Sequence, residues 1–335
     1  MSTNIALDRS ETSPDITAVY DLVAGDFAAV NDLIPRQLTS DVALVAKIGH
    51  YIVESGGKRL RPLLVLLSAN CLGYRGHHHI KLAAVIEFLH TATLLHDDVV
   101  DTSDLRRGRA TANALWGNAP SVLVGDFLYS RAFQLMVDLD RMDIIAILSD
   151  ATNVIAQGEV DQLDRVGDVE LTEDTYMEVI RAKTAMLFQA ASHTAAVLAS
   201  SDPSEVAAMR DYGLTLGLAY QLVDDWLDYA GNAEVMGKNV GDDLAEGKMT
   251  LPLIQTMQHG SMSDAEIVRE AIAQRSAERF GEVVAAVKRS GALDYTHDRA
   301  HQTAKDAIAL LDGLPDNAFR QALVTLAEFC VSRLS

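Results

Sequence analysis

Positive charge is scarce in this chain. It has 28 Lys and Arg against 47 Asp and Glu, a net charge of −19 over 335 residues. Phosphate backbones demand basic surface, so nucleic acid is excluded as a partner. Docking on anionic lipid through charge is excluded on the same ground. Cysteine is scarcer still: Cys71 and Cys330 are the only two. They form no disulfide framework and fit a reducing cytoplasm. No run of 18 apolar residues occurs, because the best candidates are broken by Glu87, His90 and Asp126. A transmembrane segment is therefore not expected. Residues 1–15 have Arg9 as their only basic group and no apolar centre. They do not fit a signal peptide and read as a disordered arm. A Pro/Ser/Gly-rich linker long enough to divide the chain is missing too, so 16–335 reads as one domain.

Helical periodicity fills that domain, and no strand pattern of any length competes with it. The spacing predicts helices over 16–34, 41–54, 62–71, 80–100, 115–139, 143–164, 172–200 and 204–229. Five more follow, over 250–259, 264–273, 279–290, 292–311 and 317–335. Ser55-Gly56-Gly57 stops the second, and Pro62 suits the first turn of the third. Thr172, followed by Glu173 and Asp174, marks a helix start. Gly213 and Gly217, four residues apart, allow a close helix approach. The expected fold is all-α, a single large helical domain.

Two acidic clusters carry the chemistry. An apolar helical stretch runs into Asp97-Asp98-Val99-Val100-Asp101, and the pattern recurs as Asp224-Asp225-Trp226-Leu227-Asp228. Asp97 and Asp101 share a helix face, where like charges cost ~0.2–0.5 kcal/mol per pair. Hard cations such as Mg²⁺, bound through oxygen, give such a cluster a purpose. Two clusters on two long helices suggest carboxylate walls holding several divalent ions between them.

The few cations are placed with equal economy. Lys58-Arg59-Leu60-Arg61 sits beside Gly-Gly at a helix start, and Arg106-Arg107-Gly108-Arg109 follows the first acidic cluster. In a chain short of cations, both read as anion sites. Lys183 lies in an otherwise apolar stretch and needs an anion or carboxylates beside it. His90, seven residues before Asp97, fits either a satisfied core histidine or a cavity position. His77-His78-His79 reads as an exposed loop rather than a metal site, since adjacent residues do not converge on one ion. Residues 231–248, glycine-rich and charged, are long enough for a lid.

Taken in order, Gly56-Gly57-Lys58-Arg59-x-Arg61-Pro62, the two aspartate motifs, Arg106-Arg107-Gly108, Lys183-Thr184, Gln221, and Gly237-Lys238 with Gly247-Lys248 resemble the trans-isoprenyl diphosphate synthases. The stretch 87–101 looks most like their long-chain branch, which makes octaprenyl and decaprenyl diphosphates for quinone side chains. The resemblance implies sequential addition of isopentenyl diphosphate to an allylic diphosphate such as farnesyl diphosphate, by a cytoplasmic homodimer with three Mg²⁺ ions when substrate is bound. It implies an all-α bundle around a deep central cavity in which Asp97, Asp101 and Asp224 ligate Mg²⁺, with Asp98 and Asp228 in support. Arg106, Lys183, Thr184, Gln221 and Lys238 would hold the allylic substrate. Lys58, Arg61, His90 and Arg107 would hold isopentenyl diphosphate, and Lys248 would join the lid. Asp97, Asp98, Asp101, Arg106, Lys183, Asp224, Asp225 and Lys238 make up the implied catalytic set.

Chain length is expected to depend on Thr93 and Ala92, four and five residues before Asp97, with Leu89 a turn below. None is bulky at the top of the cavity, which points to a long product. Other readings are a shorter-chain synthase, a terpene cyclase and a non-catalytic subunit. The Lys58/Arg61 and Arg107 set argues against a cyclase, and the intact aspartate motifs argue against the subunit. A di-iron bundle would want Glu-x-x-His on two helices, and no such pair is present.

Overall fold

The structure is a computed structural model and describes residues 14–230 and 241–333. Residues 1–13 of the expected arm and most of the expected lid, including Lys238, lie outside the described residues. Helices α1 (Ile16–Leu22), α2 (Ala24–Gln37), α3 (Ala43–Glu54), α4 (Leu60–Cys71) and α5 (His78–Val100) lead into a two-residue hairpin, β1 (Leu105–Arg106) and β2 (Arg109–Ala110). Then come α6 (Ala112–Trp116), α7 (Asn118–Val137), α8 (Met142–Asp164), α9 (Glu173–Ile180), a π-helical turn at Arg181–Ala185, α10 (Met186–Ala199) and α11 (Pro203–Ala230). The last elements are α12 (Asp242–Ala245), α13 (Leu251–His259), α14 (Met262–Gln274), α15 (Phe280–Arg289), α16 (Ala292–Ala309) and α17 (Ala318–Ser332).

The sequence marks several helix starts. Asp15 caps α1 by accepting from the Thr17 amide at 3.0 Å, and Thr172 caps α9 as its spacing predicts. The helix expected over 16–34 is instead two. Val23, with φ −118° and ψ 20°, breaks it. Val23 is itself buried, as are Val19, Val30 and Ile34. The bend turns both short helices onto the core, which outweighs unbroken helical hydrogen bonding. Of the three histidines, His77 is an exposed loop residue and His78 is exposed, but the loop reading fails for His79. His78 opens α5, and His79 is buried with Nε2 2.9 Å from Asp26 Oδ2. A carboxylate partner makes burying that ring tolerable.

One apolar core joins α4 and α5 to α7, α8 and α10; a second gathers around α11, α13, α14 and α16. Helix α11 touches both, packing on α10 and α16. Three glycines set the spacing at the centre. A Cβ on Gly217 would lie 2.6 Å from the Ala185 Cα, one on Gly213 2.6 Å from the Phe188 carbonyl oxygen, and one on Gly158 2.6 Å from the Ala182 Cβ. α11 and α8 therefore close directly onto the π turn and α10. Gly217→Val should destabilise the protein by about 1–3 kcal/mol through overpacking. Urea unfolding at constant slope measures this, and an unchanged midpoint would contradict the close approach.

Candidate active site

The last turns of α5, the inner face of α8, the π turn and α11 surround a cavity of about 700 Å³. Asp97 and Asp101 project into it from α5, and Asp224 and Asp225 from α11. Burial, then the neighbouring carboxylates of Glu159 and Asp101, push the Asp97 carboxyl up to about 7, while Lys183 opposes them. Among the described residues, no three acidic or histidine side chains converge closely enough to hold an ion alone. That is the arrangement Mg²⁺ accepts: a carboxylate or two from the protein, the rest from water and substrate phosphate. A buried wall of carboxylates that raise one another's proton affinity fits a divalent ion well.

Asp98 is the exception in the first cluster. Its side chain is fully buried, off the cavity wall, with Oδ1 accepting from Arg106 Nε and Nη2, each at 2.7 Å. It anchors the hairpin rather than facing substrate. In that hairpin Arg106 pairs with Arg109, and Arg107 (φ 53°) and Gly108 (φ 72°) form the two-residue turn. Both left-handed positions match the twist of a tight hairpin. Arg106, held by Asp98, still lines the cavity.

The π turn supplies Lys183 and Thr184. Such turns re-aim side chains and recur at functional sites. Lys183 Nζ donates to Glu159 Oε2 and Gln162 Oε1, both at 2.8 Å. Thr184 Oγ1 donates to Gln221 Oε1 at 2.7 Å, and Gln221 Nε2 donates to Asp225 Oδ1 at 2.6 Å. The other Asp225 oxygen accepts from the Tyr176 hydroxyl at 2.5 Å. Burial and then Asp243 push the Asp225 carboxyl up to about 7, against these two hydrogen bonds. Asp225 thus fastens α9, the π turn and α11 together. Asp228 is buried beneath and accepts from the Gly241 amide at 3.3 Å.

Two cations sit on the carboxylates expected to bind metal. Lys248 Nζ lies 3.2 Å from Asp101 Oδ1 and also contacts Glu246. Burial lowers the proton affinity of Lys248, but Asp101 and Glu246 outweigh it and raise it. Arg333, from the end of the chain, donates to Asp224 Oδ1 at 2.7 Å and stacks over Tyr220 at 5.1 Å.

Beyond them lies a cationic end. Lys58 stands 4.5 Å over the Phe329 ring, and Arg61 4.3 Å over Phe188. Arg61 Nη1 is 3.2 Å from His90 Nε2. Arginine only donates, so that nitrogen carries the lone pair. Burial first, then Arg61 and Arg107, holds the His90 proton affinity well below its usual value. His90 is therefore a neutral ring on the cavity wall, which decides between its two readings. The Arg107 guanidinium lies where a Cβ on Gly57 would come within 2.5 Å, so only glycine leaves it room.

The apolar wall holds Thr93, Leu94, Ile155, Val179, Ile180 and Leu187. Of the expected chain-length positions, Thr93 is on this wall, while Leu89 and Ala92 sit in the packed core. Sequence reasoning missed Glu159, Gln162, Tyr176, Tyr220, Asp243 and Arg333. The need of Lys183 for a carboxylate pointed toward a residue such as Glu159. Arg333 had no motif around it.

The raised Asp97 pKa gives a signed pH effect. The folded state holds its proton above the unfolded range, so stability falls as pH rises from about 4 towards 7. In chelator-treated protein, Asp97→Asn should raise the melting temperature more at pH 8 than at pH 5. An equal gain at both would contradict the assigned environment.

Residues 42–289 match the polyprenyl synthetase family model. The chain is 51% identical over 320 residues to octaprenyl diphosphate synthase of Escherichia coli, covering 95% of this chain and 99% of that one. It is 47% identical over 313 residues to the geranyl-diphosphate-specific all-trans-nonaprenyl-diphosphate synthase of Rhodobacter capsulatus, covering 93% and 96%. Among solved structures, the Caulobacter crescentus polyprenyl synthase complexed with calcium and isoprenyl diphosphate superposes with a TM-score of 0.93 at 48% identity, covering 96% and 99%. The decaprenyl diphosphate synthase of Rhodobacter capsulatus does so at 0.90 and 42%, with the same coverage. The fold, the paired acidic walls and these likenesses make the chain a member of the polyprenyl synthetase family.

Proposed function

We propose that the protein is a long-chain trans-polyprenyl diphosphate synthase, adding isopentenyl diphosphate repeatedly to an allylic diphosphate. The observation that carries this reading is one cavity with carboxylates on facing helices, a cationic end beside them and an apolar wall leading away. The relatives with octaprenyl, nonaprenyl and decaprenyl products support a product in that range. Such a product suits a quinone side chain.

Asp97, Asp101 and Asp224 would hold Mg²⁺ for the allylic diphosphate, with Glu159 beside Asp97. Three such ions, with substrate bound, would supply charge neutralisation for the departing diphosphate. Arg106, Lys183, Thr184 and Gln221 orient that group, as would Lys238. Lys248 and Arg333, paired with Asp101 and Asp224, would be freed to turn to phosphate oxygens where those carboxylates hold metal. Asp98, Asp225 and Asp228 position these groups rather than touch substrate. Lys58, Arg61, Arg107 and neutral His90 hold isopentenyl diphosphate. Arginine forks suit phosphate oxygens, and a neutral ring can donate one further hydrogen bond without adding charge. The allylic C–O bond breaks, the isopentenyl double bond forms the new C–C bond, and a proton leaves with the released diphosphate. Holding both substrates in one cavity supplies much of the rate.

The product grows away from the charges, along Thr93, Leu94, Ile155 and Leu187. Exposed Leu123 and Val137 on α7 and Val160 on α8 support pairing with a second copy as a homodimer. Two buried, unpaired thiols and the lack, among the described residues, of a helix long and apolar enough to cross a membrane support work in the cytoplasm.

Three measurements test the reading. Asp97→Ala or Asp224→Ala should cut turnover of farnesyl and isopentenyl diphosphates by about a hundredfold or more with the fold intact; near-normal turnover would remove the metal assignment. Arg61→Ala should raise the Michaelis constant for isopentenyl diphosphate about tenfold or more while sparing the allylic one. A rise for the allylic substrate instead would reverse the partition of cations. Thr93→Phe should shorten the product while the first condensation continues. An unchanged product length by chromatography would place the limiting wall elsewhere.

A further inference from the structure

Glu87 belongs to neither acidic cluster, and the reaction proposed above does not use it. It lies on α5 one turn before His90, among the cations of the isopentenyl diphosphate site. Its Oε1 is 3.8 Å from Arg59 Nε, and its side chain is only 13% exposed. Its Oε2 is buried and, among the described residues, accepts no hydrogen bond. Burial raises the proton affinity of Glu87, and Arg59, Arg61 and Arg107 oppose that rise by favouring the anion. In the same place the Nε of Arg61 is buried without an acceptor. Arg61 stacks on Phe188 and meets neutral His90, with no carboxylate in bonding contact among the described residues. Arg59 itself is strained: it caps α4 at φ 47° and donates to Asn31 and to the Val53 carbonyl.

Arg59 and Arg61 are half-buried and Arg107 is exposed at the rim, and the three share one carboxylate. Burying cations without a counter-charge is costly. Glu87 supplies a single negative charge where a diphosphate brings two or more. We infer that Glu87 is a built-in counter-ion: it holds the cations of the empty isopentenyl diphosphate site together and weakens that site for diphosphate. The two negative groups compete for the same guanidinium charge at short range and low dielectric. The carboxylate thereby keeps the loop 55–59 and the turn at Arg107 in place between turnovers. It also limits how tightly a diphosphate is held before the next addition. Glu87 touches no reacting atom and is a positioning residue.

The inference rests on assigning Lys58, Arg61, His90 and Arg107 to isopentenyl diphosphate. Glu87→Gln keeps the size of the side chain and an acceptor for Arg59 while removing the charge. Its Michaelis constant for isopentenyl diphosphate should fall about fivefold or more, with the allylic constant changed less than about twofold. Without ligand the variant should melt below the native enzyme, and inorganic diphosphate without metal should raise its melting temperature more than it raises the native one. A purely structural residue would lower both melting temperatures alike and would not tighten substrate binding. Glu87→Asp, which keeps the charge, should retain the native constant for isopentenyl diphosphate. If Glu87→Gln folds only with diphosphate present, that dependence supports the counter-ion role; failure to fold even then overturns it. An unchanged or raised constant for isopentenyl diphosphate also overturns it. A fall confined to the allylic constant would overturn the site assignment itself, and the inference with it.

Discussion

Charge that the fold gathers but does not neutralise governs this protein. Asp97, Asp101, Asp224 and Asp225 meet on one side of the cavity, and Lys58, Arg61 and Arg107 on the other. Direct contact between the two groups would cancel much of the electrostatic cost. The helices keep them apart, so each stays available for a ligand of opposite sign. Internal partners cover part of the imbalance: Lys248 on Asp101, Arg333 on Asp224 and Lys183 on Glu159. Metal ions and diphosphates can displace such pairs because they carry more charge into the same low-dielectric space.

Holding unbalanced charge requires a rigid apolar frame. The close approaches at Gly158, Gly213 and Gly217 lock α8, α10 and α11 around the π turn. The chain from Thr184 through Gln221 and Asp225 to Tyr176 then joins three elements by side-chain hydrogen bonds. Asp98 does the same for the hairpin by taking both Arg106 nitrogens. Each motif therefore divides its labour. Asp97 and Asp101 face the cavity while Asp98 builds the hairpin; Asp224 faces it, and Asp225 and Asp228 line it while also bonding to neighbouring elements. Helical geometry makes this division, because neighbouring residues point about 100° apart.

Much of this was legible in the sequence. The apolar periodicity gave the bundle, and the spacing of Asp97 from Asp101 placed both on the cavity face. Glycine at 213 and 217 announced a close helix approach. The break at Val23 was not legible, because it depends on which buried face of α1 and α2 meets the core. The inward turn of Ala92 and Leu89 was hidden for a related reason: a helix buried on most sides has no polar face to mark its orientation. Arg333 lies 109 residues from its partner Asp224, and only the tertiary fold brings them together. His79 reads as a loop residue until its partner Asp26, on another helix, is in view.

The central claim is that one cavity holds two diphosphates by different physics, one through carboxylates and metal and the other through cations alone. Calorimetric titration in excess chelator and again in Mg²⁺ tests it most directly, using isopentenyl diphosphate and a non-reacting thiodiphosphate analogue of the allylic substrate. The account predicts that isopentenyl diphosphate binds in both conditions and that the allylic analogue binds tightly only with Mg²⁺. Loss of isopentenyl diphosphate binding in chelator, or metal-independent tight binding of the allylic analogue, would contradict it.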